Sequence, residues 1–355
     1  MALTDLSTPA RPGEALDAER IDPYLKAHIP GLSGTPDISQ FPGGASNLTY
    51  LLTYPGRELV LRRPPFGHKA KTAHDMGREF RILNQLKDAF AYCPTAYVHC
   101  TDEAVIGAEF YVMERLNGII LRADLPAELN LDARQTEALC KSFIDRLVDL
   151  HQVDYHACGL GDLGKPQGYV ARQIRGWTER YDKARTPDAP GWESVARWLD
   201  DKQPADHPTA SLVHNDYRFD NVILDPHHPM QIIGVLDWEL TTLGDPLMDL
   251  GNSLAYWVQA DDPAPVQLMR RQPSHAPGML TRAQFVAYYA ERAGIRIDNF
   301  DFYYAYGLFR LAGIVQQIYY RYYHGQTQDK RFAPFIQMNA LLETMALQVI
   351  DRSAL

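Results

Sequence analysis

Apolar residues recur at two different spacings along this chain, and the change of spacing predicts two kinds of structure. Between residues 31 and 117, short runs of β-branched and aromatic residues alternate with Pro-Gly and Asn-Gly dipeptides, which is typical of strands and hairpins. Within this region Met76, Phe80 and Leu83 repeat at the spacing of one amphipathic helix. Beyond residue 118 the helical spacing predominates. We therefore predict an α+β, two-lobed fold with a small β-rich N-terminal lobe and a larger, mainly α-helical C-terminal lobe.

Two smaller features refine this division. Residues 1–30 indicate an N-terminal arm that carries one short helix. The dipeptide Asn117-Gly118 ends the last strand of the β-rich region, so we predict the boundary between residues 31–117 and 118–355 at this hinge. Inside the helical region, two short apolar runs at 222–224 and 232–236 flank an Asp-Pro turn and predict a hairpin.

Composition and charge exclude several classes of protein. The chain has 35 Lys and Arg residues against 44 Asp and Glu, a net charge of −9, whereas a nucleic-acid-binding protein needs a basic face. The 4 cysteines form no Cys-x-x-Cys pair, which is typical of reduced thiols in a cytosolic protein. The sequence shows no signal-peptide pattern and no run of about 18 apolar residues. We expect a cytoplasmic protein that binds neither nucleic acid nor a membrane.

The segment LVHNDYRFDNVIL carries the strongest chemical signal. It places His214, Asp216 and Asn221 in the order His-x-Asp-x-x-x-x-Asn between two apolar runs, and Asp237 ends a later apolar run. Phosphoryl transfer requires a carboxylate that takes the proton of an acceptor hydroxyl, and oxygen ligands that hold Mg²⁺ on the nucleotide phosphates. Asn and Asp are also common turn residues at strand ends. The strand–loop–strand setting and the downstream Asp237 favour the catalytic interpretation.

Several segments together resemble a known family. The chain is similar to the aminoglycoside/choline kinase-like phosphotransferase family, and most of all to the kinase-like domain associated with acyl-CoA dehydrogenases, in the segments VLRRPP, REFRIL, HNDYRFDN, VLDWELTTLGDP and FRLAGIVQQIYYR. The resemblance covers roughly residues 41–326. It implies a protein-kinase-like fold in which residues 31–117 bind the nucleotide and residues 118–355 carry catalysis and the substrate. It also implies ATP and Mg²⁺ as cofactors, and a functional link to an acyl-CoA dehydrogenase.

The resemblance assigns roles to the catalytic segment residue by residue. Asp216 matches the catalytic base, and Asn221 and Asp237 match the Mg²⁺ ligands. His214 matches the residue that braces the catalytic loop. For this side chain, a role as a buried hydrogen-bonding brace is favoured over a role as a proton carrier. Asn215 stands where this family commonly has Gly, and we expect it to act through its backbone.

The same resemblance assigns nucleotide contacts in the β-rich region. The loop over the phosphates matches Gly43, Gly44, Ala45 and Ser46, where small or absent side chains let backbone N–H groups approach. Met113 matches the gatekeeper of the nucleotide pocket. Glu114 and Leu116 would then supply backbone groups to adenine.

One strand position departs from the kinase pattern. The lysine that pairs with the phosphates is absent, and Arg62 of VLRRPP stands there with Glu79 as its expected ion-pair partner. Arg keeps the positive charge and binds phosphate bidentately, but it is not equivalent to Lys. Both side chains could instead be solvated surface charges. The departure also leaves open a pseudokinase, a regulatory binding module without turnover.

Two helical segments suggest where a small-molecule hydroxyl acceptor binds. The candidate substrate residues are Arg172, Arg175, Trp177, Arg180, Tyr306 and Arg310. Basic groups suit an anionic acceptor such as a hydroxyacyl-CoA thioester or a hydroxy acid, which is also the acceptor that the resemblance implies. A solvated charged face beside a tyrosine-rich core helix would produce the same pattern. An aminoglycoside-type antibiotic kinase is the alternative enzyme, although its polycationic acceptors require a pocket lined by acidic residues.

Overall fold

The structure of the protein is a computed structural model that describes residues 6–42, 47–66, 75–205 and 209–355. The predicted phosphate loop at 43–46 therefore lies outside the described residues. In chain order the elements are α1 (Ala18–His28), β1 (Asp37–Gln40), β2 (Leu48–Tyr54), β3 (Arg57–Arg63), α2 (Met76–Leu86), β4 (Ala96–Cys100), α3 (Glu103–Ile106), β5 (Phe110–Glu114), α4 (Ala133–His151), α5 (Tyr169–Ala184), α6 (Glu193–Asp201), β6 (Ser211–Val213), β7 (Val222–Leu224), β8 (Ile232–Val235), β9 (Thr242–Gly244), α7 (Pro246–Ala255), α8 (Ala264–Gln267), α9 (Arg282–Ala293), α10 (Asp301–Tyr323) and α11 (Phe335–Arg352). A β-sheet region followed by a mainly helical region confirms the predicted α+β class.

These elements form two compact units. The first unit comprises Met1–Ile120, His156–Leu160 and Asn221–Glu239. The second unit comprises Leu121–Tyr155, Gly161–Asp220 and Leu240–Leu355. The first segment ends close to the predicted hinge, and the chain returns to the first unit at His156 and again at Asn221. The functional division at residue 117 stays a prediction.

The first unit is built on a five-stranded antiparallel sheet in the order β1-β2-β3-β5-β4. Alternate residues of β2, from Leu48 to Tyr54, are buried, as the period of two in a half-buried strand requires. Ile21 and Leu25 of α1 join the same apolar core. Helix α2 begins after Asp75, whose side chain accepts a hydrogen bond from the Arg78 amide.

The second unit is organised around α10, most of whose residues are buried. Its contact with α7 needs two glycines. A Cβ on Gly307 would lie 2.1 Å from the Gly251 carbonyl oxygen, and a Cβ on Gly251 would lie 2.2 Å from the Tyr303 carbonyl oxygen. The two helices can therefore approach this closely only without side chains at these positions. Among the described residues, none of the helices combines the length and apolar character that a membrane span requires.

Candidate active site

The hairpin β7–β8 brings two of the predicted metal ligands to one end of the first unit. Val222 pairs with Val235, and the Leu236 amide donates to the Asn221 carbonyl oxygen at 2.8 Å, so Asn221 and Asp237 flank the same end of the ladder. Asp237 has a φ of 67°. This left-handed conformation is costly for a residue with a Cβ, and such conformations concentrate at functional sites.

The donor chemistry at this end fits Mg²⁺. Asn221 and Asp237 offer amide and carboxylate oxygens, which are hard ligands, and Mg²⁺ commonly uses one or two protein oxygens together with water and substrate phosphates. Within the described ranges, no group of three or more His, Cys, Asp or Glu residues could hold a metal ion by itself.

Arg62 on β3 links this end of the hairpin to α2. Its Nη1 donates to Glu79 Oε1, and its Nη2 donates to Asp237 Oδ1 at 3.1 Å. The Arg62 side chain is 11% exposed and that of Glu79 only 2%. Burial alone would lower the pKa of the Arg62 guanidinium, but the carboxylates of Glu79 and Asp237 raise it well above its ordinary value. The Arg62–Glu79 ion pair is therefore buried, and the two terminal nitrogens of the guanidinium bond two different carboxylates.

The loop that follows Asp237 is held by two further side chains of the first unit. Asn47 Nδ2 donates to Glu239 Oε2 at 3.0 Å, and Arg78 Nη1 donates to the Glu239 carbonyl oxygen at 3.3 Å. Sequence reasoning singled out neither Asn47 nor Glu239, although Glu239 lies within the segment VLDWELTTLGDP, because their contact joins residues far apart in the chain. The Arg78 contact holds the backbone at Glu239, shortly after a candidate metal ligand, and the Asn47 contact holds the Glu239 side chain.

The predicted adenine contacts lie on β5 and just beyond it. Met113 is buried opposite Val60 of β3. The Glu114 amide already donates to the Thr95 carbonyl oxygen at 2.8 Å, so this N–H is used within the first unit. A nucleotide contact at Glu114 would therefore fall to its carbonyl oxygen, with Leu116 as the next backbone position.

In the second unit, a buried carboxylate on α7 holds the start of the catalytic segment. Asp249 accepts hydrogen bonds from the His214 amide at 2.7 Å and from the Asn215 amide at 2.8 Å. Asp216 follows, and its amide donates to His214 Nδ1 at 3.2 Å. His214 is fully buried. The imidazole thus bonds the backbone of Asp216, and the role of His214 as a brace of the catalytic loop stays a prediction.

Asn215 contributes its side chain as well as its backbone. Its φ is 64°, the conformation for which the family's Gly is suited. Its Oδ1 also accepts from Tyr169 Oη at 3.3 Å and from Asn252 Nδ2 at 3.1 Å. Arg310 Nη2 donates to the Asn215 carbonyl oxygen at 2.7 Å. The expectation of a backbone role alone was too narrow, since the amide side chain adds a hydrogen-bonding network.

His151, at the end of α4, has a structural role that the sequence did not reveal. Its Nε2 lies 3.1 Å from Asp249 Oδ2 and its Nδ1 lies 2.7 Å from Tyr289 Oη. Burial alone would raise the pKa of the Asp249 carboxyl, but bonds from His151 and from the His214 amide hold it below its ordinary value. Asp249 therefore stays ionised at neutral pH. Because its folded-state pKa is lowered, its contribution to stability is lost as the pH falls through that value.

We expect His151→Ala to lower the free energy of unfolding by about 1–3 kcal/mol, because it leaves buried polar partners unsatisfied. Chemical denaturation measures this loss. His156→Ala is the matched control: His156 lies shortly after the same helix but is exposed. Because water competes for the interactions of an exposed side chain, its removal should change the free energy of unfolding by no more than about 0.5 kcal/mol. Equal losses in the two variants would contradict the assigned role of His151.

Arg218 lies beside the candidate base. Its Nη2 donates to Asp216 Oδ2 at 3.2 Å, and its Nε lies 3.0 Å from Asp216 Oδ1. Its Nη2 also lies 3.3 Å from Asp220 Oδ2. The guanidinium stacks on Tyr256, 4.6 Å from the ring centre. The base is therefore next to a fixed positive charge.

Four of the predicted acceptor residues come together between α5 and α10. Two guanidinium groups lie over the Trp177 ring, that of Arg180 at 4.9 Å and that of Arg310 at 5.3 Å from the ring centre. Tyr306 is buried near the same group. Arg310 is only 4% exposed and holds the catalytic segment. Its burial favours a positioning role over direct contact with an acceptor.

The other two predicted arginines have different surroundings. Arg172 donates to the carbonyl oxygens of Lys165 and Gln167, just before α5 begins. Arg175 is exposed on α5. Arg172 thus satisfies backbone carbonyls of the preceding loop, a contact that helical spacing alone could not indicate.

A cavity of about 400 Å³ lies within the second unit, and Arg218 forms part of its wall. Its other lining residues are Arg122, Ala123, Asp220, Tyr256, Arg271, Leu311, Ile314, Val315, Ile318, Phe335 and Met338. Sequence reasoning missed this cavity. The available signal was the apolar stripe on α10, but a stripe of this kind equally predicts a helix packed in the core.

Comparison with known proteins defines the family. A family model described as the phosphotransferase enzyme family matches residues 37–285. The chain therefore belongs to this phosphotransferase family. It is 36% identical over 341 residues to acyl-CoA dehydrogenase family member 10 of Mus musculus, a match that covers 95% of this chain and 31% of the relative. The chain spans less than half the length of the curated relatives it matches.

Solved structures support the same assignment. A protein from Ralstonia eutropha, provisionally assigned as an aminoglycoside phosphotransferase, has a TM-score of 0.82 at 30% identity, covering 96% of this chain and 100% of that chain. Choline kinase from Cryptosporidium parvum has a TM-score of 0.63 at 12% identity, covering 94% of this chain and 96% of that chain, a likeness in fold alone. Together they confirm the predicted protein-kinase-like fold.

Proposed function

We propose that this chain is an ATP- and Mg²⁺-dependent small-molecule kinase that transfers the γ-phosphoryl group to an acceptor hydroxyl. The observation that carries the proposal is the position of the Arg62 guanidinium. It bonds the buried Glu79 carboxylate, and its Nη2 donates to Asp237 Oδ1 at 3.1 Å. This arrangement puts a permanent cation, suited to phosphate, next to a carboxylate suited to Mg²⁺. Membership of the phosphotransferase family supports the same reaction.

In this proposal Asp216 orients the acceptor hydroxyl and takes its proton, and His214 keeps the Asp216 backbone in place through Nδ1. Bound MgATP would supply the γ-phosphoryl group and neutralise charge that develops on its oxygens. Asn221 and Asp237 would hold the metal ion. Arg218 keeps the Asp216 carboxylate oriented through its ion pair.

The nucleotide contacts follow from the first unit. Arg62 would bind phosphate oxygens, and Glu79 would hold the guanidinium in position. Met113 would border the adenine ring. The Glu114 carbonyl and the Leu116 backbone would form hydrogen bonds with adenine. The phosphate loop of Gly43, Gly44, Ala45 and Ser46 is proposed from the sequence alone.

The proposed acceptor is a hydroxyacyl-CoA or a related hydroxy acid. The relatives' name, acyl-CoA dehydrogenase family member, supports an acyl-CoA substrate and a functional link to a dehydrogenase. Phosphorylation would turn the acceptor hydroxyl into a leaving group. Arg180, Arg175 and Arg172 would add positive charge at the surface of α5. The alternative, an aminoglycoside acceptor, is compatible with the fold but would bring several cations toward Arg218.

We expect Asp237→Asn to abolish the rise in melting temperature that Mg²⁺ and ATP together produce in the parent protein, because a ligand that binds only the folded state must stabilise it. Thermal unfolding with ATP, with and without Mg²⁺, measures the effect. Asp225→Asn is the matched control, because Asp225 lies at the opposite end of the same hairpin. Parental Mg²⁺-dependent stabilisation in Asp237→Asn would rule out its role as a metal ligand.

A further inference from the structure

The cavity of about 400 Å³ in the second unit is lined by two chemically distinct sets of residues, one apolar and one charged. We propose that it binds the acceptor: its apolar wall takes the acyl chain, and Arg122 and Arg271 bind an anionic group of the same molecule. This inference rests on the proposed function, which it deepens by naming the site and chemical class of the acceptor. The volume falls within the range of about 300–1,000 Å³ found for small-molecule sites.

The apolar wall comes from one face of α10 and the start of α11. Four residues recur at helical spacing along α10: Leu311, Ile314, Val315 and Ile318. Phe335 and Met338 of α11 complete the wall. Ile314, Ile318 and Met338 are only partly buried. The wall can therefore gain apolar contact when an acyl chain enters.

The charged part of the cavity favours an anion. Its lining holds three arginines, Arg122, Arg218 and Arg271, against a single carboxylate, Asp220. Arg218 pairs with Asp216 and Asp220, and the positive charge of Arg122 also acts on the Asp220 carboxyl. Arg122 and Arg271 are exposed, so they can reach a ligand that projects into solvent. This excess of positive charge complements a carboxylate or a CoA phosphate and disfavours a polycationic acceptor.

The cavity is also next to the candidate base. Arg218 lines the cavity and contacts the Asp216 carboxylate at 3.0 Å. An acceptor that lies along α10 with its hydroxyl toward Arg218 would therefore bring that hydroxyl toward Asp216. The apolar wall would determine which acyl chain lengths fit in this orientation.

A second cavity in the same unit serves as a matched control. It has a volume of about 420 Å³ and is lined by residues that include Ile297, Arg282 and Arg352. Its lining contains neither Arg218 nor Asp220. The same substitution in the two cavities thus separates a specific effect from a general loss of packing.

The test measures equilibrium binding of saturated acyl-CoA thioesters and free saturated acids of increasing chain length, without nucleotide. These probes carry no hydroxyl, so a protein that fails as a kinase can still confirm the site. For the parent protein we expect the Kd to fall about fourfold per added methylene until the cavity is full. Tighter binding of the thioester than of the free acid would identify CoA as the carrier of the anionic group, and the reverse would identify the carboxylate.

Ile314→Trp should weaken binding of the longest chains about tenfold and leave the shortest unchanged, because the larger side chain fills the wall. Ile297→Trp should leave the whole series unchanged. If Ile314→Trp does not fold, Met338→Ala tests the same wall, since it should extend the longest accepted chain. Arg271→Gln should weaken the binding of anionic probes about tenfold and leave the binding of a neutral acyl ester unchanged. Arg352→Gln should change the binding of neither probe.

Two results would overturn the proposal. One is a Kd in the parent protein that is independent of chain length. The other is an equal effect of Ile314→Trp and Ile297→Trp on long-chain binding. Phosphorylation of a hydroxyacyl compound together with either result would keep the proposed function and remove this site from it.

Discussion

Asp216→Asn is expected to lower acceptor-dependent turnover by about two to four powers of ten while the protein still binds ATP with Mg²⁺. The asparagine amide cannot accept a proton, and positioned acid–base groups contribute rate factors of about this size. The fold should survive, because the backbone N–H of Asp216 that bonds His214 is unchanged. Initial rates at saturating ATP measure the first effect, and the MgATP-dependent shift in melting temperature measures the second.

The control for this variant is Asp298→Asn, an exposed aspartate of the same unit that is 70% exposed in its side chain. We expect parental rates from it. A rate for Asp216→Asn within a few-fold of the parent would remove Asp216 from the role of base. Loss of ATP binding in the same variant would instead mean that Asp216 serves the nucleotide.

Arg62→Met is expected to lower the free energy of unfolding by about 3–5 kcal/mol, because it leaves Glu79 buried without its partner. Arg57→Met provides a matched control on the same strand, where the guanidinium donates to the Pro30 carbonyl in an exposed setting. Arg57→Met should lower the free energy of unfolding much less than Arg62→Met does. Urea denaturation of the two variants measures the difference.

The double variant Arg62→Met, Glu79→Leu separates a charge effect from a packing effect. Replacing a buried ion pair with apolar residues of similar volume is often neutral or better, so the double variant should recover most of the lost stability. It should nevertheless lose ATP binding, because the phosphate-binding cation is gone. Additive losses from the two single changes would contradict the buried pair as described.

The local parts of the site are the parts that the sequence predicts well. The hairpin that carries Asn221 and Asp237 follows from two short apolar runs around an Asp-Pro turn, and its observed strands differ from the prediction by one residue at the end of β8. Spacing within one segment likewise indicates a candidate catalytic loop, whose role stays a prediction. Both signals are contained in a few consecutive residues, so no knowledge of tertiary packing is needed.

Prediction fails where a residue's role depends on a distant partner. The helical pattern indicates Phe80 for the apolar face of α2, whereas the structure buries Glu79 more deeply. That burial is tolerated because Arg62, on a separate strand, compensates its charge. His151 and Asp249 are nearly one hundred residues apart, and their hydrogen bond could not be inferred from either neighbourhood.

The proposed acceptor site shows the same limit. Helical spacing groups Arg172, Arg175 and Arg180 on one segment, but the structure uses Arg172 for loop carbonyls and leaves Arg175 exposed. The cavity beside Arg218 instead combines α10 and α11 with arginines from two loops. Such a combination depends on tertiary packing that periodicity does not encode.

Direct transfer of label from [γ-³²P]ATP to an acceptor tests the central claim. The acceptors are hydroxyacyl-CoA thioesters, free hydroxy acids, choline, sugars and aminoglycosides, each incubated with the parent protein and with Asp216→Asn, and each product identified by mass spectrometry. We predict a Mg²⁺-dependent phosphate ester on the hydroxyl of a hydroxyacyl compound, made by the parent and nearly lost in the variant. Labelling of aminoglycosides, choline or sugars with none of any hydroxyacyl compound would contradict the proposed acceptor, and ATP binding without transfer to any acceptor would indicate a pseudokinase.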